Sequence, residues 1–349
     1  MPGGTAFQRL VDLLPMPSLR VQRLIAFLVI LTQGGISVTG AIGPRHRAPA
    51  WAAPPGPQCF PGSFTPVPHA EVAVVHQVVE FGNRMITFLV VLTAIAAVLA
   101  VTRARRRREV LIYAWLMPAS TVVQAIIGGI TVRTGLLWWT VAIHLLASMA
   151  MVWLAVLLFV KIGQPDTGAP RTTVPKPLRQ LTVLSAVILA AVLVTGTLVT
   201  GAGPHAGDKS LDRVVPRLQV EITTLVHMHS SLLVAYLSLI VALGFALTAV
   251  RAGRPIMIRL GVLVALVCAQ GLVGIVQFYT GVPAVLVAVH VAGAAACTAA
   301  TAALWASMRG TGRTQRLTRP PYPSVVPPRG QLRVERRIDA LESAANRCS

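Results

Sequence analysis

His76, Glu80, Asn83, His144, His229 and His290 all fall within long apolar runs, and His227 stands beside His229. An ionisable or imidazole side chain inside a bilayer costs a few kcal/mol, so each is a candidate for function. Two neutral imidazoles on facing helices, with glycines and small residues around them, suit axial ligation of a haem. Imidazole binds iron, and the flat macrocycle needs a wall free of side chains. Any single histidine is equally well accounted for by a hydrogen bond to a backbone carbonyl or by an aqueous vestibule. Zinc fits less well, because tight local spacing and carboxylate or thiolate partners are missing. Glu80 lies four residues after His76 and three before Asn83, hence on their helix face. Such a glutamate can move protons or steady a developing positive charge. The alternative is an ion pair with Arg84 at i+4, and the two are compatible, since the arginine could also hold a propionate.

The elements that position these residues are set by composition. Of the 349 residues, 54% are hydrophobic and 12% charged, with a formal charge of +20 and a mean hydropathy of +0.70. A water-soluble domain carries about a quarter of charged residues, so that class is excluded. Runs long enough to span about 30 Å of hydrocarbon cover 24–42, 72–101, 110–132, 136–160, 181–202, 222–250, 256–279 and 282–308. The expected fold is an all-α membrane protein, its eight transmembrane helices arranged as two pseudo-symmetric four-helix bundles. The first span is too long, and too poorly followed by a small-residue site, to favour a removable signal peptide, the alternative that the arginines before it would suit.

Charge placement sets the expected orientation. Arg9, Arg20 and Arg23 precede the first span, and Arg103, Arg105, Arg106, Arg107 and Arg108 follow the second. Lys161, Arg171, Lys176 and Arg179 follow the fourth, Arg251, Arg254 and Arg259 the sixth, and nine arginines lie between Arg309 and Arg347. These make 24 of the 31 basic residues, all on one face if spans alternate. By the positive-inside rule that face and both termini are cytoplasmic, in the cell membrane, and the histidines sit in the outer half. The basic balance is therefore topological and calls for no nucleic acid; the Arg run is an anchor, and Trp138 and Trp139 an interfacial belt. The expected divisions are a cytoplasmic segment 1–23, a first half 24–160, a linker 161–180, a second half 181–308, and a basic disordered tail 309–349 that can lie on anionic lipid.

The halves repeat. Gln124, Gly128, Thr134-Gly135 and His144 recur as Gln270, Gly274, Thr280-Gly281 and His290, each 146 residues on. At the same offset Asn83 pairs with His229, so the second half holds two histidines on neighbouring helices where the first holds asparagine and histidine. Gly35-Ile-Ser-Val-Thr-Gly40 corresponds to Gly196-Thr-Leu-Val-Thr-Gly201 at a changed offset.

These residues resemble the haem A synthase family in its actinobacterial form, over Leu24 to about Met308. The matching features are Gly-Gly-Ile-Ser-Val-Thr-Gly ending the first span, Glu80-Phe-Gly-Asn83-Arg84, Gln-Ala-Ile-Ile-Gly-Gly followed by His144, Val-Thr-Gly-Ala-Gly-Pro-His-Ala-Gly-Asp, His-Met-His229, and His290. The resemblance implies an eight-helix, two-lobed membrane oxidoreductase that converts the C8 methyl of haem O to the formyl of haem A, with water as oxygen source, for cytochrome c oxidase. It implies a resident haem b on His229 and His290, and haem O as substrate beside Glu80 and His144, with His76, Asn83 and Arg84 near it. Implied partners are the bilayer, haem O synthase (protohaem farnesyltransferase) and cytochrome c oxidase, with room for a homo-oligomer.

The chain departs from the family in two places. The family's Glu-x-x-His-Arg is Glu80-Phe-Gly-Asn83-Arg84 here, so either His76 replaces the missing ligand or a haem at that site has one protein ligand. Residues 43–56 read like a high-GC gene out of frame, which leaves Cys59 without the family's loop partner. A non-enzymatic bis-histidine haem b electron carrier, or quinol-reactive cytochrome b, would use the same paired histidines. The topology has a direct test: an alkaline phosphatase fusion after Gly135 is expected to be active and one after Arg105 inactive, and the reverse pattern would invert the assigned orientation.

Overall fold

The computed structural model describes residues 6–42, 74–167, 169–204, 206–207 and 215–312. Side chains at 74–81 and at 84 lie outside that description, as do the 43–56 segment, Cys59 and residues 313–349. Among the described residues there is one short helix, α1 (Ala6–Asp12), which the sequence reading did not expect. Eight long helices follow: α2 (Leu19–Ile42), α3 (Val74–Arg103), α4 (Arg108–Arg133), α5 (Trp138–Ile162), α6 (Lys176–Ala202), α7 (Ile222–Ala249), α8 (Arg254–Tyr279) and α9 (Ala284–Ser307). All eight are long and apolar enough to cross a membrane. They match the expected spans, with ends moved by a few residues. These helices belong to one compact unit, residues 1–311; residues 312–349 form the other.

Within α2 to α5, each helix packs on the next and α5 returns to α2; α6 to α9 repeat that order, with α9 returning to α6. Across these sets α2 meets α9, α5 meets α6, and α5 meets α9. Each set has its own buried cluster. One includes Ala26, Ala94, Ala97, Ala114 and Ala155; the other includes Tyr236, Ile240, Leu243 and Leu263. Lipid tails are as apolar as leucine, so close approach through alanines and interhelical hydrogen bonds hold such helices together. Tyr236, fully buried, accordingly shares a 2.6 Å hydrogen bond with Thr301.

The helix ends repeat as well. Residues with positive φ include Arg105 and Arg251, Gly135 and Gly281, and Leu136 and Val282, each pair 146 residues apart. Each marks a Schellman ending, in which an N–H reaches back five residues: Arg106 to Val101, Ala252 to Leu247, Leu136 to Thr131 and Val282 to Gln277. The glycines at 135 and 281 take φ of 70° and 75°, which a side chain would oppose. The internal repeat read from sequence is thus present in the local backbone.

The all-α reading holds for the membrane-spanning body, and outside the spans two short segments, β1 (Ala169–Thr172) and β2 (Arg309–Gly312), pair as a two-stranded sheet. Of the segment 309–349, the described residues 309–312 form β2. Both segments leave helices at the same end, and their free backbone groups satisfy one another. The Thr173 N–H continues the pairing to Met308 O, and Thr173 Oγ1 donates to Ser307 O at 3.1 Å.

The Arg run is also more than a charge anchor. Arg106, 8% exposed, donates from Nε to Asp166 at 2.9 Å, from Nη1 to Gln22 at 3.1 Å, and from Nη2 to the carbonyls of Ile162 at 2.8 Å and Gln164 at 2.9 Å. It thereby joins the α3–α4 turn to the end of α5 and the start of α2, satisfying carbonyls that α5 leaves open. Arg107 bonds Pro165 O at 2.7 Å, and Lys161 meets Glu109 at 2.5 Å. Arg106→Gln is expected to cost about 2 kcal/mol of stability in detergent. Arg105→Gln, at a 72% exposed side chain, should cost about 0.5 kcal/mol or less; equal losses in denaturant titration would contradict the bracing role.

Candidate functional site

The end of the bundle opposite the Arg run collects the candidate residues, because α3, α5, α7 and α9 all start there and carry Asn83, His144, His229 and His290 in their second or third turns. His229 is the most firmly held. Its Nδ1 lies 3.0 Å from Val192 O and 3.2 Å from Thr195 Oγ1, both on α6. Its ring rests on Gly196, where an added Cβ would meet Cε1 at 3.1 Å. With Nδ1 engaged in this way, Nε2 is left to ligate.

His290, on α9, faces it: the ring centroids lie 6.3 Å apart with the planes at 62°. Two imidazoles on one metal, with bonds of about 2.0 Å and about 1.1 Å from each nitrogen to its ring centre, put the centroids about 6.2 Å apart. The observed 6.3 Å matches that value. Gln270 Nε2 donates to His290 O at 2.9 Å, and a Cβ on Gly274 would lie 3.4 Å from Cε1. His290 Nδ1 is buried without a partner among the described residues, and ligation through Nε2 would leave that N–H still to be satisfied. Glycine-faced rings and the matching separation fit a bis-imidazole haem.

The α4–α5 pair repeats part of this. Gln124 Nε2 lies 3.4 Å from His144 O and donates to Ser148 Oγ at 2.6 Å. A Cβ on Gly128 would meet His144 Cε1 at 3.1 Å, and His144 Nδ1 is again buried without a partner among the described residues. Asn83, in place of the second imidazole, accepts at Oδ1 from Thr39 Oγ1 at 2.8 Å. Helix α3 carries His76, Glu80 and Arg84, whose side chains are outside the described residues.

Sequence reasoning missed Thr195, Val192 O and Thr39 as partners; Thr195 precedes the repeated Gly196, which was the available signal. Trp138, expected only in an interfacial belt, packs its ring on α6, where a Cβ at Gly201 would meet it at 3.2 Å. Trp139 is 44% exposed.

A family model described as "Cytochrome oxidase assembly protein" matches residues 64–210. The match supports the haem A synthase family. It takes in Asn83, His144 and Gly196, and it ends before His229 and His290. That family implies a part in cytochrome oxidase assembly and haem A synthesis. Comparison with curated proteins found no match.

The glycine contact has a measurable consequence. Gly196→Ala forces the His229 ring to give by a few tenths of an ångström and should weaken haem retention roughly tenfold. Gly261→Ala, where nothing described lies within 4 Å of the added Cβ, should leave retention unchanged. Haem per purified chain after dilution reads both.

Proposed function

We propose that the chain is a haem A synthase, an oxidoreductase that converts the C8 methyl of haem O to a formyl group. Methyl and one water give the formyl group, four protons and four electrons, and the electrons go to an external acceptor, for which a haem b on His229 and His290 would be the relay. The observation that carries this reading is the 6.3 Å separation of the His229 and His290 rings, supported by the family match over residues 64–210.

His229 and His290 hold a resident haem b, which supplies one-electron redox chemistry when bound. Val192 O and Thr195 orient the His229 ring, while Gln270 fixes the backbone from which His290 projects. Haem O is bound as substrate among α2 to α5, with His144 toward its iron, Arg84 for a propionate, and His76 and Asn83 nearby on α3. Glu80, on the Asn83 face of α3, accepts a proton or stabilises positive charge at the methyl carbon. The surrounding apolar helices keep bulk water out, which strengthens that electrostatic effect. The protein sits in the cell membrane with both termini cytoplasmic and both sites in the outer half. Haem O comes from haem O synthase, and haem A passes to cytochrome c oxidase.

A host lacking the gene should accumulate haem O and lose haem A, and the wild-type gene should restore it. Glu80→Gln should lower haem A output roughly a hundredfold while haem b content stays normal. His229→Ala should lose the haem b absorption bands. An electron carrier built on the same histidine pair would instead show no accumulation of haem O on deletion, and that result would sink the proposal.

A further inference from the structure

His229 shows what an imidazole needs in this setting: a hydroxyl and a carbonyl for Nδ1, and a glycine under the ring. At the matching place in α2 and α3, all three conditions change together. Asn83 replaces His229, and Gly34 replaces Thr195, which removes the hydroxyl. Among the described residues, nothing lies within 4 Å of a Cβ built on Gly35, the counterpart of Gly196, or on Gly34. Asn83 turns instead to Thr39, one turn further along α2, and its Oδ1 accepts at 2.8 Å.

An asparagine cannot stand in for the lost ligand. The lone pair of a carboxamide nitrogen is delocalised, and its hard oxygen, which here accepts from Thr39, is a poor ligand for haem iron beside imidazole. His76 is no substitute at the same level, since seven residues of helix separate it from Asn83 by about 10.5 Å along the axis. On the opposite side, His144 retains the contact with Gly128 and a buried Nδ1 without a partner among the described residues, as His290 does with Gly274.

We infer that a haem bound among α2 to α5 takes one ligand among the described residues, His144, and that its face toward Asn83 is open to a small exogenous ligand such as carbon monoxide or cyanide. The amide of Asn83 is then a hydrogen-bond donor beside that position. This rests on the haem O site proposed above, and it sets the two sites apart: one is six-coordinate and closed, the other five-coordinate and open.

The test uses the purified full chain titrated with haemin to saturation. Haem per chain is counted by pyridine haemochrome, and the reduced protein is then exposed to carbon monoxide. Two haems per chain are expected, one of them high-spin and binding carbon monoxide. His144→Ala should remove that haem, and Asn83→His should make it low-spin and insensitive to the gas. Asn83→Ala should keep the binding but shift the C–O stretching band as the donor is lost. Two haems that are both low-spin and unreactive would overturn the open position and leave the haem O site standing. One haem per chain, unreactive and unaffected by His144→Ala, would overturn that site and the inference with it.

Discussion

A carbonyl inside a helix already has its partner, so a side chain can share it only where the helix surface lets that side chain approach. Val192 O can accept from His229 because Gly196, one turn on, has no side chain to hold the ring away. The His229 orientation depends on that approach, and so does its spacing from His290. In hydrocarbon no water takes over a hydrogen bond left unmade, so a ring nitrogen must find its partner in a neighbouring helix or a ligand. Thr195 supplies a second partner at the same place, which makes the ring position doubly determined.

The opposite end of the molecule has a different task and solves it with charge. Arg106 gathers the end of α5, the start of α2 and the α3–α4 turn, satisfying two carbonyls, Gln22 and Asp166. Paired Schellman endings give both helix sets the same sharp turns, so α3, α5, α7 and α9 all begin at the histidine end. Glycine-faced helices and satisfied turns are thus complementary: the turns fix which residues share a level, and the glycines let rings occupy it.

Comparison of Asn83 with His229 shows how far one exchange reaches. An imidazole at 229 comes with Thr195 and the Gly196 contact; an amide at 83 comes with Gly34 and a bond to Thr39. The differences point one way, toward a place in α2–α3 that is not shaped to fix a ring.

Much of this was legible from residue order alone. Eight spans followed from hydropathy, because a helix that satisfies its own backbone needs only length and apolar surface to cross a bilayer. The 146-residue repeat was legible because glycine and polar positions tied to special turns and ring contacts do not drift within an apolar background; Gly135 and Gly281 show the reason in their positive φ. The sequence by itself therefore determined the spans, the repeat and the identity of the candidate histidines. Only tertiary structure decided that β1 pairs with β2, that Arg106 braces three segments, that Trp138 packs on Gly201, and that His229 and His290 lie 6.3 Å apart. Each of these joins residues far apart in the chain, and hydropathy and local spacing carry no information about which face of one helix meets which face of another.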